Sequence, residues 1–175
     1  MRDHNFAFVD IETTGLNLLK HEIIEIGCVV ADQNLEVVEE FDLKIKPENI
    51  EVADPVSLKI NKYDPELWMA AYSLKEALEI FLEKAGGCIM VGHNVAFDSG
   101  FLDLAFSKCD LPSTLHYHRL DTVSIAWAKL HREPDLAHFS LREMGERFGI
   151  KNEKAHTALP DARATYELYK KLMEL

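Results

Sequence analysis

Long apolar runs are missing from this 175-residue sequence: it contains no stretch of about 18 or more apolar residues, the length that crosses a membrane. The opening MRDHNFAF also lacks the apolar run of a secretory signal. Cysteine is scarce. Cys28, Cys88 and Cys109 include no CxxC pair, which excludes a disulfide framework and a zinc knuckle and leaves each as a buried, reduced thiol. These absences point to a soluble, cytoplasmic chain. Repeats and low-complexity linkers are absent too, and 47% hydrophobic side chains over this length suit one compact domain over residues 1–175. Positive charge is in deficit, with 19 Lys and Arg against 30 Asp and Glu, a net charge of −11. Such a surface repels a phosphate backbone unless its carboxylates hold cations that reverse the local sign. Lys151 and Lys154 flank His156, while most other basic residues are scattered singly among acids.

What is present reads as alternating strands and helices. NFAFVDIE at residues 5–12 is an apolar run closing on two acids before the turn-prone TTGLN, as expected of a buried central strand. HEIIEIGCVVAD and LEVVEEFDLKIKP are β-branched runs separated by Asp32, Gln33 and Asn34, the pattern of an antiparallel hairpin. SLKEALEIFLEKAGG has capping-box spacing from Ser73 to Glu76 and a glycine stop, which predicts a helix. CIMVGHN predicts a strand, 96–108 a helix, STLHYHRLD a strand and TVSIAWAKLH a helix. SLREMGERFG predicts a helix with a second capping box from Ser140 to Glu143. A last helix runs from about Thr157 to Leu175, with Pro160 tolerated in its first turn. Three strands followed by alternating helices and strands imply an α/β fold, one mixed sheet with helices packed on it.

Asp10 and Glu12 are two apart on the first strand, so both side chains leave the same face near its C-terminal end. Alone the pair is weak, because strands often end in acids that merely face water. Asp98 and Asp161 each fall in the first turn of a predicted helix, where a negative charge is favourable in any case.

FVDIETTGL, VGHNVAFDSGFLDLAF and HTALPDARATYEL, in this order and at these intervals, resemble the three motifs of the DEDD superfamily of exonucleases. The histidine five residues before the last acid places the resemblance in the DEDDh, or DnaQ-like, branch. The resemblance covers nearly the whole chain. It implies a ribonuclease-H-like fold with a mixed five-stranded sheet, and 3'→5' release of 5'-mononucleotides from single-stranded DNA or RNA ends. It implies that Asp10, Glu12, Asp98 and Asp161 hold two Mg2+ or Mn2+ ions and that His156 acts on the attacking water. The chemistry suits those residue types. Four ionised carboxylates in one place repel unless cations sit between them, and oxygen donors are what magnesium prefers. An imidazole with a reference pKa of about 6.5 is ready to accept a proton near neutrality.

By the same resemblance Thr13, Thr14, Gly15 and Leu16 form the loop at the terminal nucleotide, with Leu16 beside its base. Asn94 matches the asparagine before the second acid, though a loop or cap role serves it equally well. Asn61 falls where relatives carry His-Gly or Asn-Gly near the substrate end, and here Lys62 stands in the glycine's place. Phe101, three residues after Asp98, shares its helix face and is a candidate base contact. His116 and His118 alternate like a metal pair, but no partners at ligand spacing support a zinc site. Trp68 and Trp127 read as core aromatics, and Glu25 and Asp121 as structural acids. Two rival readings share the fold or the chemistry: a non-catalytic nucleic-acid-binding module, disfavoured because all five catalytic positions are filled, and a two-metal endonuclease. The chain ends almost with its last helix, which favours a stand-alone enzyme over a tethered one.

Overall fold

The computed structural model describes residues 3–152 and 156–175, so the expectation for Lys154 lies outside the described residues. Strand β1 (Phe6–Thr13) is central in a five-stranded sheet of order β3-β2-β1-β4-β5, with β2 at Ile23–Ala31, β3 at Val37–Lys44, β4 at Ile89–Gly92 and β5 at Arg119–Asp121. Pairing is antiparallel for β1 with β2 and β2 with β3, and parallel for β1 with β4 and β4 with β5. This is the mixed sheet that the order of elements implied.

The period of 2 along β1 divides the molecule into two layers. Ala7, Val9 and Ile11 pack on one face against α2 (Leu74–Ala85) and α3 (Val95–Lys108), where Phe81, Phe101, Leu102 and Phe106 are buried. Phe8 points the other way, into α6 (Ala158–Glu174), and meets Tyr166 and Tyr169 edge-on with ring centroids 5.2 and 5.4 Å apart. Such pairs add about 0.5–1.5 kcal/mol each beyond area burial. Helices α4 (Thr122–Leu130) and α5 (Leu141–Phe148) close the outer side of α6 around Met144, Leu168 and Leu172.

Local chemistry accounts for most of these boundaries. Ser73 and Glu76 form the reciprocal capping box of α2. Ser140 accepts from the Glu143 N–H at α5, but the Glu143 carboxylate turns outward to the N–H groups of Ala137, His138 and Phe139. Only half of the expected second box forms, because the preceding loop offers three donors and Ser140 one. Helix α1 (Pro55–Ile60) was not anticipated, although Asp54 accepting from Val56 N–H and Pro55 in the first turn are a regular helix start. STLHYHRLD contributes only Arg119–Asp121 to the sheet, because β4 has just four residues to pair with. His116 and His118 therefore lie before the strand.

Two glycines mark close approaches. A Cβ at Gly27 would lie 2.2 Å from the backbone of Ala158 and Leu159, so the start of α6 rests directly on β2. A Cβ at Gly15 would lie 2.2 Å from the His21 ring, whose Nδ1 accepts from Asn17 N–H across the loop after β1. At Gly100, by contrast, the nearest atoms are the Leu18 methyls at 3.4 and 3.5 Å. Gly27→Ala is therefore expected to destabilise by about 1–3 kcal/mol through overpacking. Gly100→Ala, in a helix interior, should be neutral or stabilising by about 0.5–1 kcal/mol. Urea denaturation midpoints check both; equal midpoints for the two variants would contradict the close packing at Gly27.

Candidate active site

Continuing the alternation of β1 past Phe8 brings Asp10 and Glu12 out on the face that α6 covers. Because α6 begins against Gly27, the cross-strand partner of Asp10, its first turn carries Asp161 to the same place. One carboxylate oxygen from each of Asp10, Glu12 and Asp161 lies within 4.8 Å of the others, a set that could hold a metal ion. Asp98 reaches this region from the first turn of α3. Its Oδ1 accepts from the N–H of Ile11 at 3.0 Å, the residue between the two strand acids, but it stands outside the compact triple.

The site is a concentration of poorly compensated negative charge. Burial, and then Asp98, Asp161 and Glu12, hold the Asp10 carboxyl well above its usual range. Burial and the neighbouring Asp161, Glu25 and Asp98 push Glu12 up to about 8, with Lys62 pulling the other way. Asp98 is pushed up to about 7 by burial, against the bond from Ile11. Asp161 is also raised by burial, and bonds from Asn152 and the His156 backbone oppose the shift. Carboxyls this reluctant to ionise, all supplying oxygen donors, fit a divalent cation.

Other expected residues divide into neighbours of the cluster and residues placed elsewhere. His156 donates its backbone N–H to Asp161 Oδ2 at 3.0 Å with φ at 64°, and its side chain is exposed at the edge of a cleft that it shares with Asp161 and Asn152. Its imidazole is not within the metal-sized triple. Asn152, which no motif marked, donates its side-chain amide to Asp161 Oδ1. Asn61 is buried and donates to the Thr13 carbonyl at 2.8 Å, while Asp54 N–H donates to that of Thr14, so α1 braces the loop after β1. Lys62 takes φ 53°, the left-handed conformation that glycine adopts freely, so the loop keeps its shape with a lysine there. Thr13 donates to the Gly15 carbonyl, Thr14 accepts from Glu22 N–H, and Leu16 stands 77% exposed at the tip.

Asn94 occupies the N-cap position of α3 in left-handed conformation without a side-chain capping bond. Its N–H and that of Val95 go to Asp121, which also caps α4 and so serves structure, as does Glu25, paired with Lys44 at 2.8 Å. Phe101 is a correction. It is 3% exposed and packed against Phe97, so its ring belongs to the core rather than to the open surface beside Asp98. Trp68 is buried as expected, with its indole N–H on the Ile24 carbonyl, but Trp127 is 57% exposed. His4 comes to within 4.5 Å of the His116 ring, yet among the described residues these histidines make no compact ligand set.

Known proteins are similar to this chain in sequence and in fold. A family model described as exonuclease matches residues 7–169. The DNA polymerase III subunit epsilon of Escherichia coli is 30% identical over 171 residues, covering 92% of this chain and 68% of that one. A PolC-type DNA polymerase III of Caldanaerobacter subterraneus is 34% identical over 169 residues, but the chain spans only 12% of its length. Among solved structures, E. coli exonuclease I in complex with a dT13 oligonucleotide superposes with a TM-score of 0.83 at 20% identity, over 97% of this chain and 41% of that one. Sheet order and carboxylate cluster together make this an α/β protein with a site that could hold a metal ion. Within that class, this chain belongs to the exonuclease family whose model spans it from Ala7 to Tyr169.

Glu12 keeps its proton up to about pH 8 in the folded chain, against 4.5 ordinarily. Between those values the folded state binds more protons than the unfolded one, so stability falls as pH rises through that window. In EDTA the melting temperature should drop from pH 5 towards pH 8, and Mg2+ should restore it. Glu12→Gln is expected to flatten the drop. A melting temperature indifferent to pH and Mg2+ would count against a cation-demanding cluster.

Proposed function

We propose that this chain is a cytoplasmic 3'→5' exonuclease domain that hydrolyses single-stranded DNA from its 3' end and releases 5'-mononucleotides. The observation that carries the reading is the convergence of Asp10, Glu12 and Asp161 at the end of the central strand, with Asp98 one residue away through Ile11. Relatives named as DNA polymerase III subunits, and exonuclease I structures with dT13 and dA16, support DNA as the substrate.

In this reading Asp10, Glu12, Asp98 and Asp161 hold two Mg2+ or Mn2+ ions. When bound, such a pair supplies a water of lowered pKa and stabilises the leaving 3' oxygen of an in-line displacement. The chain's own part is to place and orient. Ile11 N–H fixes Asp98, while the Asn152 amide and the His156 N–H fix Asp161, so the carboxylates lose little freedom on loading. His156, on an exposed turn beside Asp161, takes the proton from the attacking water as general base. Thr13, Thr14, Gly15 and Leu16 border the terminal nucleotide, with the exposed Leu16 beside its base. The buried Asn61 acts through Thr13, and Asn94 lies at the start of the helix that presents Asp98.

Asp10→Ala, Glu12→Ala, Asp98→Ala and Asp161→Ala are each expected to abolish release of mononucleotides from a 5'-labelled single strand while the circular dichroism spectrum stays native. His156→Ala should lower kcat by roughly 10²–10⁴-fold with metal affinity little changed. A circular single strand separates exonuclease from endonuclease, because an exonuclease has no end at which to begin. Turnover undiminished by EDTA, or cleavage of the circle, would overturn the proposal.

A further inference from the structure

Helix α3 and the loop after β1 each border two places. Their ends near Asp98 and Gly15 flank the carboxylates, while Leu18, His21 and the later turns of α3 line a separate cleft of about 200 Å³ on the α2/α3 face of the sheet. The floor of this cleft is apolar, formed by the half-buried Leu74 and Leu104 over the buried Ile23, Ile45 and Phe101. Its walls bring together Lys46 from just beyond β3, Lys75 from the first turn of α2 and Lys108 from the last turn of α3. In the sequence these lysines are 29 and 33 residues apart and look scattered; folding puts them around one opening. All three are exposed. Lys46 and Lys108 make no ion pair among the described residues, and Lys75 has only Glu79 at 4.0 Å. Two acids share the lining: Glu48, and Glu22, whose carboxylate is held by the Glu48 and Asn49 N–H groups and the Asn49 amide, so the lysines outnumber the acids three to two.

We propose that this cleft holds a base and its flanking phosphates in a single strand, a few nucleotides upstream of the 3' end that enters the carboxylate site. The proposal rests on the exonuclease reading above. An apolar floor takes the face of any base, and ammonium groups on the rim neutralise phosphates, the combination that binds single strands without regard to sequence. From Asp98 to Lys108 the helix rises about 15 Å, a span that a few nucleotides cover. On a chain of net charge −11, three lysines at one cleft are a local grip for a strand whose end is drawn to the cations. The shared loop and helix favour a strand over an acidic, leucine-containing peptide, which the same chemistry would also admit.

Cys109 makes the cleft directly readable. It lines the cleft and is partly exposed, whereas Cys28 and Cys88 are buried. Alkylation of Cys109 by iodoacetamide with Mg2+ present and a long single strand bearing non-hydrolysable 3'-terminal linkages, followed by mass spectrometry, should be slowed by that strand and not by a dinucleotide with the same linkage. With Mg2+ present, K46E/K75E/K108E is expected to raise KM for a long strand about tenfold or more at low salt, and to make the log–log salt dependence shallower by about 2. Its kcat should be retained, and K46R/K75R/K108R should behave like the parent. Alkylation at the same rate with and without strand, or an unchanged KM in the charge-reversed variant, would overturn the proposal. Protection by the acidic peptide but not by the strand would overturn it in favour of a protein partner. The footprint needs no hydrolysis: a chain that protects Cys109 yet cleaves nothing sinks the exonuclease reading alone, and one that cleaves while Cys109 stays open sinks the cleft alone.

Discussion

Helix α6 rests on the sheet with backbone against backbone, because Gly27 offers no side chain where Ala158 and Leu159 pass. The position of Asp161 relative to Asp10 follows from this contact, since Gly27 is the cross-strand partner of Asp10 and Asp161 lies three residues beyond Ala158. The same approach sets Tyr166 and Tyr169 on Phe8 and lets α4 and α5 pack on the outer side of α6. A single position without a Cβ thus connects the sheet, the second layer of the core and the carboxylate cluster. Protein interiors are close-packed and transmit small displacements, so a shift of a few tenths of an ångström there would be felt at the site.

The cluster itself works against the apo fold. Burial raises every one of its carboxyls and repulsion from cluster neighbours adds to it at Asp10 and Glu12, while the opposing charges are Lys62 for Glu12 and His156 and Lys62 for Asp161. Such an arrangement persists because the surrounding structure supports it: hydrogen bonds from Ile11, Asn152 and His156 are aimed at Asp98 and Asp161, and the two strand acids sit on the most buried strand pair of the sheet. Binding of a cation then relieves a repulsion already built in, which couples loading of the site to stability of the fold. The cleft lined by Lys46, Lys75 and Lys108 lies on the other face of the sheet.

The elements that were legible were those with a strong local signal. The alternation of β1, the hairpin of β2 and β3, and the capping box and glycine stop of α2 each depend on neighbours a few residues away. Misjudged elements depended on partners. STLHYHRLD has strand-like composition but could extend only as far as β4 allowed, and Glu143 had a choice of donors that no spacing reveals. Helix α1 carried its signal in Asp54-Pro55, and a closer reading of that pair would have found it. Phe101 shares a helix face with Asp98, but only the packing of α3 on α2 decided that this position faces the core.

Sequence alone determined which residues are candidates for the chemistry: three acidic motifs and a histidine in a fixed order, together with the alternation that turns Asp10 and Glu12 to one side of one strand. These are local properties, set by spacing and by side-chain type. The tertiary structure decided what no spacing encodes. It set the metal-sized distance among Asp10, Glu12 and Asp161, the support of Asp161 by Asn152, the bracing of the Thr13–Thr14 loop by α1, and the meeting of three distant lysines at one cleft. The reason is physical: each is a contact between segments far apart in the chain, and such contacts exist only once the sheet has paired and the helices have packed upon it.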